Sequence, residues 1–335
     1  LVVADDGVHG AELWRRDPSA TRLVKDIVTG TVSSSPAQLT PVGDLLFFVV
    51  NDGRRGIELW RSDGTEDGTT IVADINPGWG SSTPRYLLDV GGTLFFSAND
   101  GTNGTELWRS DGSEAGTRMV AQVSPGPGSA TPRSLTGVGD RVYFSADDGI
   151  HGEELWVSDG TAPGTRRVAD INEGPSSSSP TELTPLGDLL LFAARDAAHG
   201  IELWRSDGTT AGTALVRDID PRGDSRPGNM RVISDTLFFA ADDGLHGVEL
   251  WQSYGTPGST VIVADLAKGP ASANPQPSES VGDRLIFTAD DGLKGTELWS
   301  QQIVDITGPD LMVGKTVSAT TPLTPGSPIS YFITL

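Results

Sequence analysis

The sequence predicts an all-β protein, a β-propeller of four-stranded blades, and three observations carry that reading. One short unit recurs along most of the chain, turn residues punctuate it at hairpin intervals, and little of the rest is built for long helices. The tripeptide Glu-Leu-Trp occurs seven times, with its tryptophan at Trp14, Trp60, Trp108, Trp156, Trp204, Trp251 and Trp299, at spacings of 46, 48, 48, 48, 47 and 48 residues. A fixed period of this size marks a repeat architecture and takes precedence over any local reading. The 42 glycines and 22 prolines make up about a fifth of the chain, which suits frequent turns.

The unit from Pro180 to Pro227 serves as the type case. Its first strand is Thr-Glu-Leu-Thr-Pro-Leu, ending at Gly187-Asp188. Its second is the continuous apolar run Leu189 to Ala194, its third carries Glu202-Leu203-Trp204, and its fourth runs from Ala214 to Ile219. Gly-Asp, Asp-x-x-x-Gly, Ser-Asp-Gly-Thr and Asp-Pro-Arg-Gly lie between and after them, supplying the positive-φ positions and side-chain-capped turns that hairpins require. The second strand has lost its polar alternation, as in LLFFVV at 45–50. A strand buried on both faces between neighbouring blades does that. A solenoid of hairpins is the rival reading, but its coils are usually shorter and its ends capped.

Two departures set the blade count. The chain opens on Leu1-Val2-Val3-Ala4, already a second strand, and the last unit passes from Glu297-Leu298-Trp299 into Ser300-Gln301-Gln302 without the Asp-Gly-Thr hairpin. Seven blades lacking two strands is the expected count. Six with a composite seventh is the alternative. The propeller is expected over 1–306, with 307–335 a linker and short C-terminal β tail, because the repeat disappears after Gly308.

The in-phase strings ELWRSDGTEDGT at 58–69, ELWRSDGSEAGT, ELWVSDGTAPGT and ELWRSDGTTAGT carry a resemblance. They are similar to the ELWxxDGT repeat family of large bacterial surface and secreted proteins, over about residues 1–302. That resemblance implies a propeller in an exported, extracellular or cell-surface bacterial protein, and little chemistry. The strand order also resembles the propeller of the Tol periplasmic system, with the Pro-led strand innermost. The tail PDLMVGKTVSATTPLTPGSPISYFITL resembles the opening strands of Ig-like conserved-repeat domains of bacterial surface proteins. Two strands cannot bury a core. The tail is therefore expected either to be a piece of a longer polypeptide or to donate Ser330 to Leu335 as an edge strand to another copy or another surface protein.

Composition excludes several functions. The 24 Lys and Arg against 45 Asp and Glu give a formal charge of −21, which disfavours nucleic acid and anionic lipid as partners. With no cysteine there are no disulfides, thiolate metal sites or cysteine nucleophiles. No apolar run approaches the roughly 18 residues of a membrane span, and no charged start leads into an apolar stretch like a signal peptide's. A soluble chain without its own visible export signal is the expectation. GPDLMVGKT at 308–316 misses a phosphate-binding loop by one residue and lacks its strand-to-helix setting. There is no Gly-x-Ser-x-Gly nucleophile elbow.

The in-phase polar residues read as scaffold. His9, His151, His199 and His246 share one slot before a hairpin glycine, where Arg55, Asn103 and Lys294 stand in other units. One copy per blade separates them beyond metal-ligand distances, and the expected role is a polar residue tolerating a left-handed turn. The Asp-Asp-Gly hairpins at Asp5, Asp147, Asp242 and Asp290 put carboxylates near a repeated Glu, as Asp148 is near Glu154. Ca²⁺ is the alternative cofactor there, against the reading that no cofactor is held and the acids make turns. Asp63-Gly64-Thr65 and its copies read as side-chain-capped turns, since Asp17-Pro18-Ser19 and Tyr254-Gly255-Thr256 break the pattern.

Recognition then falls to whatever departs from the period. Trp79, in the loop NPGWGSST, stands outside the repeat. On the innermost strand the third residue after proline is mostly apolar (Leu39, Leu87, Leu135, Leu183, Met230, then Ser278), whereas the second varies (Gln38, Tyr86, Ser134, Glu182, Asn229, Pro277). Alternation turns the variable row away from the apolar one, toward the central channel. Trp79, Arg85, Tyr86, Arg133, Glu182, Asn229 and Arg231 are the candidate ligand residues. The expected function is noncatalytic: adhesion, display or assembly of a surface structure. A glycan-binding or glycan-cleaving propeller using the channel residues is the alternative, with polysaccharide as partner.

Overall fold

The structure, a computed structural model, describes residues 1–303. Among them are 26 strands and no helix, so none that could cross a membrane. The strands form seven antiparallel sheets in sequential order, five of four strands and one of three at each end. The expected tail, including Ser330 to Leu335, lies outside the described residues.

Blade 5 consists of Thr181–Leu186, Leu189–Asp196, Gly200–Ser206 and Ala214–Arg217, within two residues of the predicted bounds. Blade 1 holds a second, third and fourth strand (Val2–Asp5, Ala11–Asp17, Ala20–Lys25). Blade 7 holds a first, second and third (Gln276–Val281, Arg284–Asp290, Thr296–Gln302). These end strands make two separate sheets, not one composite blade, so the count is seven. The first strands of blades 2 to 7 lie side by side in order, which makes them the innermost layer.

The Glu-Leu-Trp triplet builds the packing between sheets. Adjacent residues of a strand face opposite ways. Leucine therefore looks toward the next blade and tryptophan toward the preceding one. Leu59 shares a core with Phe96 and Trp108 of the next blade, Leu107 with Phe144 and Trp156, and Leu203 with Phe239 and Trp251. The same pairing joins Leu13 to Trp60, Leu155 to Trp204 and Leu250 to Trp299. All six leucines are fully buried. Each contributes about 1.5–3 kcal/mol by leaving water. At the ends of the stack the same faces are open: Leu298 is 75% exposed, and Val2, paired opposite Trp14, is 40% exposed.

Each innermost strand hides an irregularity that alternation did not anticipate. Gln38, Tyr86, Ser134, Glu182 and Asn229 have φ of 53°, 57°, 55°, 55° and 53°. The register slips by one residue at each of them. These are β-bulges, which re-aim a side chain. A left-handed non-glycine residue costs about 1–2 kcal/mol, so the surrounding structure must hold it. Pro277 at the same place cannot take the left-handed conformation, because its ring fixes φ near −65°, yet the register shifts there too.

Candidate functional site

The repeated glutamate is the first group to place. Glu12, Glu58, Glu106, Glu154, Glu202 and Glu249 are all fully buried. Each reaches out of its own blade to the linker leading into the next. Glu154 accepts the Ile171 N–H at 3.0 Å, the Ser178 N–H at 3.0 Å and the Ser178 hydroxyl at 2.6 Å. Glu202 takes Ile219 and Ser225 in the same way. The carboxylate caps the amides of the linker and not those of the neighbouring Asp-Asp-Gly turn. Burial raises the carboxyls of Glu58, Glu154, Glu202 and Glu249 above the ordinary range. Glu106 is pushed to about 7. Burial is the main cause there; Ala130 stands where Ser82 and Ser178 offer a hydroxyl, as Ala273 does for Glu249, and Glu106 accepts the Val123, Ser124 and Ala130 amides.

The turn acids are committed too. In Ser-Asp-Gly-Thr-x-x-Gly-Thr of blade 5, Asp207 Oδ1 accepts both the N–H and the hydroxyl of Thr209, and Thr209 Oγ1 accepts the Gly212 N–H. A Cβ on Gly212 would lie 2.1 Å from the Asp207 carboxylate. Blade 6 shows the rule by its exception. Tyr254 replaces that aspartate, Ser259 replaces that glycine, and the Ser259 hydroxyl accepts the Tyr254 and Thr256 amides instead.

In the Asp-Asp-Gly hairpins, Asp5 accepts the Gly7 N–H, and Asp6 accepts those of Val8 and His9. The histidine Nδ1 donates to the second carboxylate in four blades: His9 to Asp6, His151 to Asp148 and His199 to Asp196 at 2.8 Å, and His246 to Asp243 at 2.7 Å. That bond raises His9, His199 and His246 above their usual range. The left-handed conformation expected at the histidine falls on the next residue instead, at Gly10, Gly152, Gly200 and Gly247. Among the described residues no group of three or more His, Asp or Glu side chains could hold a metal ion.

The candidate ligand residues divide. Glu182 and Asn229 are straps between blades: Glu182 Oε2 accepts the Met230 N–H at 3.1 Å, and Asn229 Nδ2 donates to the Pro275 carbonyl at 3.2 Å. Gln38 does both jobs, donating to the Pro84 carbonyl and accepting the Tyr86 N–H. Arg231 is exposed on blade 6, past the bulge. Trp79 is 83% exposed in the linker before blade 3.

Arg85, Tyr86 and Arg133 come together. They line a cleft of about 430 Å³ between blades 3 and 4, with Ser81, Ser82, Thr83, Ser97, Asn99, Thr105, Thr131 and Pro132. The reason is legible in the register. The second-strand residue opposite the first strand's start, and the residue preceding the repeated glutamate, are Val49 and Ile57 in blade 2, Ala193 and Ile201 in blade 5, and Ala240 and Val248 in blade 6. In blade 3 they are Ser97 and Thr105, and in blade 4 Ser145 and Glu153. Polar side chains replace the apolar ones there. Glu153 holds the Arg133 Nε at 3.0 Å and accepts the Ser145 hydroxyl. Arg85 makes no ion pair or hydrogen bond through its guanidinium among the described residues. Ser97, Asn99, Thr105, Thr131 and Glu153 were missed from sequence, although aligning the units at these two positions would have exposed Ser97, Thr105 and Glu153.

No protein-family model matches the chain, and no curated protein matches it. Solved structures do. It is similar to prolyl oligopeptidase B from Galerina marginata, at 10% identity over 90% of this chain and 46% of that one, with a TM-score of 0.51. It is similar to the β-propeller domain of the Trilobed protease from Pyrococcus furiosus, at 13% identity over 92% and 94%, with a TM-score of 0.43. A third is puromycin hydrolase, at 16% identity over 90% and 50%, with a TM-score of 0.45. At these identities the likeness is one of fold: the chain is a β-propeller. It spans about half the length of the puromycin hydrolase and prolyl oligopeptidase chains.

Proposed function

We propose that this chain is a noncatalytic β-propeller module of the ELWxxDGT type from a bacterial cell-surface or secreted protein, acting in adhesion, display or assembly. One observation supports this reading. The carboxylates, hydroxyls and imidazoles that recur in phase are committed to turns and to the linkers between blades, so the repeat is scaffold and only out-of-phase residues are left to recognise a partner. Glu182, the acid that a cleaving enzyme in the channel would use, straps one blade to the next, and Glu153 is paired with Arg133.

Incubation with a panel of bacterial and host polysaccharides tests it. The expected result is retention on some immobilised surface component with no new reducing ends. Turnover that disappears in Glu182→Gln would overturn the noncatalytic reading. A glycan-binding role is the second reading, and the cleft between blades 3 and 4 is what favours it.

A further inference from the structure

The cleft is chemically unlike the surface that surrounds it. The chain carries 45 acidic residues against 24 basic ones, yet the eleven residues lining the cleft include two arginines and no carboxylate. Arg85 has no counter-ion among the described residues. Arg133 is held through Nε by Glu153, whose other contact is the Ser145 hydroxyl, so its two terminal nitrogens are steadied and unbonded. A guanidinium fixed in that manner presents the paired donors that match a carboxylate. Apart from Pro132 the rest of the lining is hydroxyl and amide, Ser97, Asn99, Thr105 and Thr131 among them, beside the ring of Tyr86, which is 45% exposed. Hydroxyl partners together with one open aromatic face suit a sugar ring, whose C–H face stacks while its hydroxyls are hydrogen-bonded. The volume lies within the usual range for small-molecule sites, about 300–1,000 Å³. The surrounding net charge of −21 repels a densely charged polyanion, so an isolated acidic unit fits better than a phosphate backbone.

We propose that the cleft between blades 3 and 4 binds a uronic-acid unit, with Arg85 and Arg133 meeting its carboxylate and Tyr86, Ser97, Asn99 and Thr105 its hydroxylated ring. This inference rests on the binding reading above, and it is independent of where the protein resides.

Calorimetric or NMR titration of the whole chain tests it, with glucuronate and galacturonate disaccharides, their neutral glucose and galactose counterparts, acetate and inorganic phosphate as probes. The uronates are expected to bind at least tenfold more tightly than the neutral sugars and than acetate or phosphate. Arg85→Ala and Arg133→Ala should each lower uronate affinity at least tenfold, while Arg231→Ala leaves it unchanged. The double variant Ser97→Val, Thr105→Ile installs the pair that blade 2 already carries, so the fold accommodates it, and it should abolish binding by filling the cleft. Equal affinity for neutral sugars, or indifference to both arginines and to the filled cleft, would overturn the proposal. Phosphate binding as tightly as uronate would reduce the site to a general oxyanion cradle and overturn the saccharide assignment. Loss of uronate binding alongside retained capture of some other surface component would sink this proposal and leave the binding reading standing. Capture of nothing at all would sink both.

Discussion

Glu154 and Ser178 stand 24 residues apart in the chain, yet the serine hydroxyl donates to the glutamate at 2.6 Å inside a fully buried pocket. The bond ties the third strand of one blade to the linker entering the next. The Ile171, Asn172 and Ser178 amides complete the set, so one carboxylate satisfies three backbone donors and a hydroxyl that would otherwise be buried without partners.

Removing that acceptor strands the donors. Glu154→Ala should destabilise the protein by about 3–5 kcal/mol, and Ser178→Ala by about 1–2, because only the first leaves several buried amides unmade. Chemical denaturation of the two variants checks the ranking. An equal effect from both would show that the amides find other partners.

The buried acids also fix the direction of the pH response. The folded-state carboxyl of Glu106 titrates at about 7, above its ordinary 4.5. Its contribution to stability is full below 4.5 and is lost as pH rises through 7. His9, His199 and His246 are likewise raised, so what they contribute is lost as pH climbs through their folded values. Asp6, lowered to about 2, acts oppositely: its contribution is present above 3.8 and disappears as pH falls toward 2. Stability should therefore decline as pH rises from about 5 to 8. Calorimetry across that range would show it, with a shallower decline in Glu106→Gln.

Leucine of the repeated triplet offers an internal control. Leu203 is fully buried against the next blade, and Leu298 is 75% exposed. Leu203→Ala should cost about 2–5 kcal/mol, and Leu298→Ala less than about 0.5. A large loss at Leu298 would mean that the two end sheets meet in solution.

Gly212→Ala should destabilise by about 1–2 kcal/mol, since the added methyl displaces Asp207 from its cap on Thr209. The paired change Asp207→Tyr, Gly212→Ser, copied from blade 6, should restore most of the loss. Melting temperatures of the single and paired variants decide it.

The Asp-Asp-Gly carboxylates already accept backbone amides. A strong chelator should leave the melting temperature within about 2 °C, and a fall of roughly 10 °C or more would restore calcium to the account.

Most of this architecture is written in the sequence because the same physical problem is solved once per unit. Leu203 and Trp204 sit side by side, so their opposite facing follows from strand geometry alone, and seven copies turn a local pattern into a stack. The bulge at Glu182 was not legible. Alternation placed that side chain in the channel, whereas a positive φ at a non-glycine residue, for which no single-residue signature exists, turns it toward Met230. The linker donors to Glu154 were hidden for another reason: they lie in a segment with no apolar period, and only the fold brings Ile171 and Ser178 to the acid. Arg85, Tyr86 and Arg133 were found because they interrupt the period. Ser97 and Thr105 escaped because small polar residues draw no attention until they are set beside Val49 and Ile57.

The placement of the buried acid on one blade and its donors on the road to the next has a consequence for how such a protein can grow. A duplication or loss that runs from one glutamate to the following glutamate hands every acid a complete set of amides, whatever the final number of blades. An insertion of half that length separates lock from key twice over. Lineages of this architecture should therefore change size in whole steps, adding or shedding intact units while the joints between them stay the same.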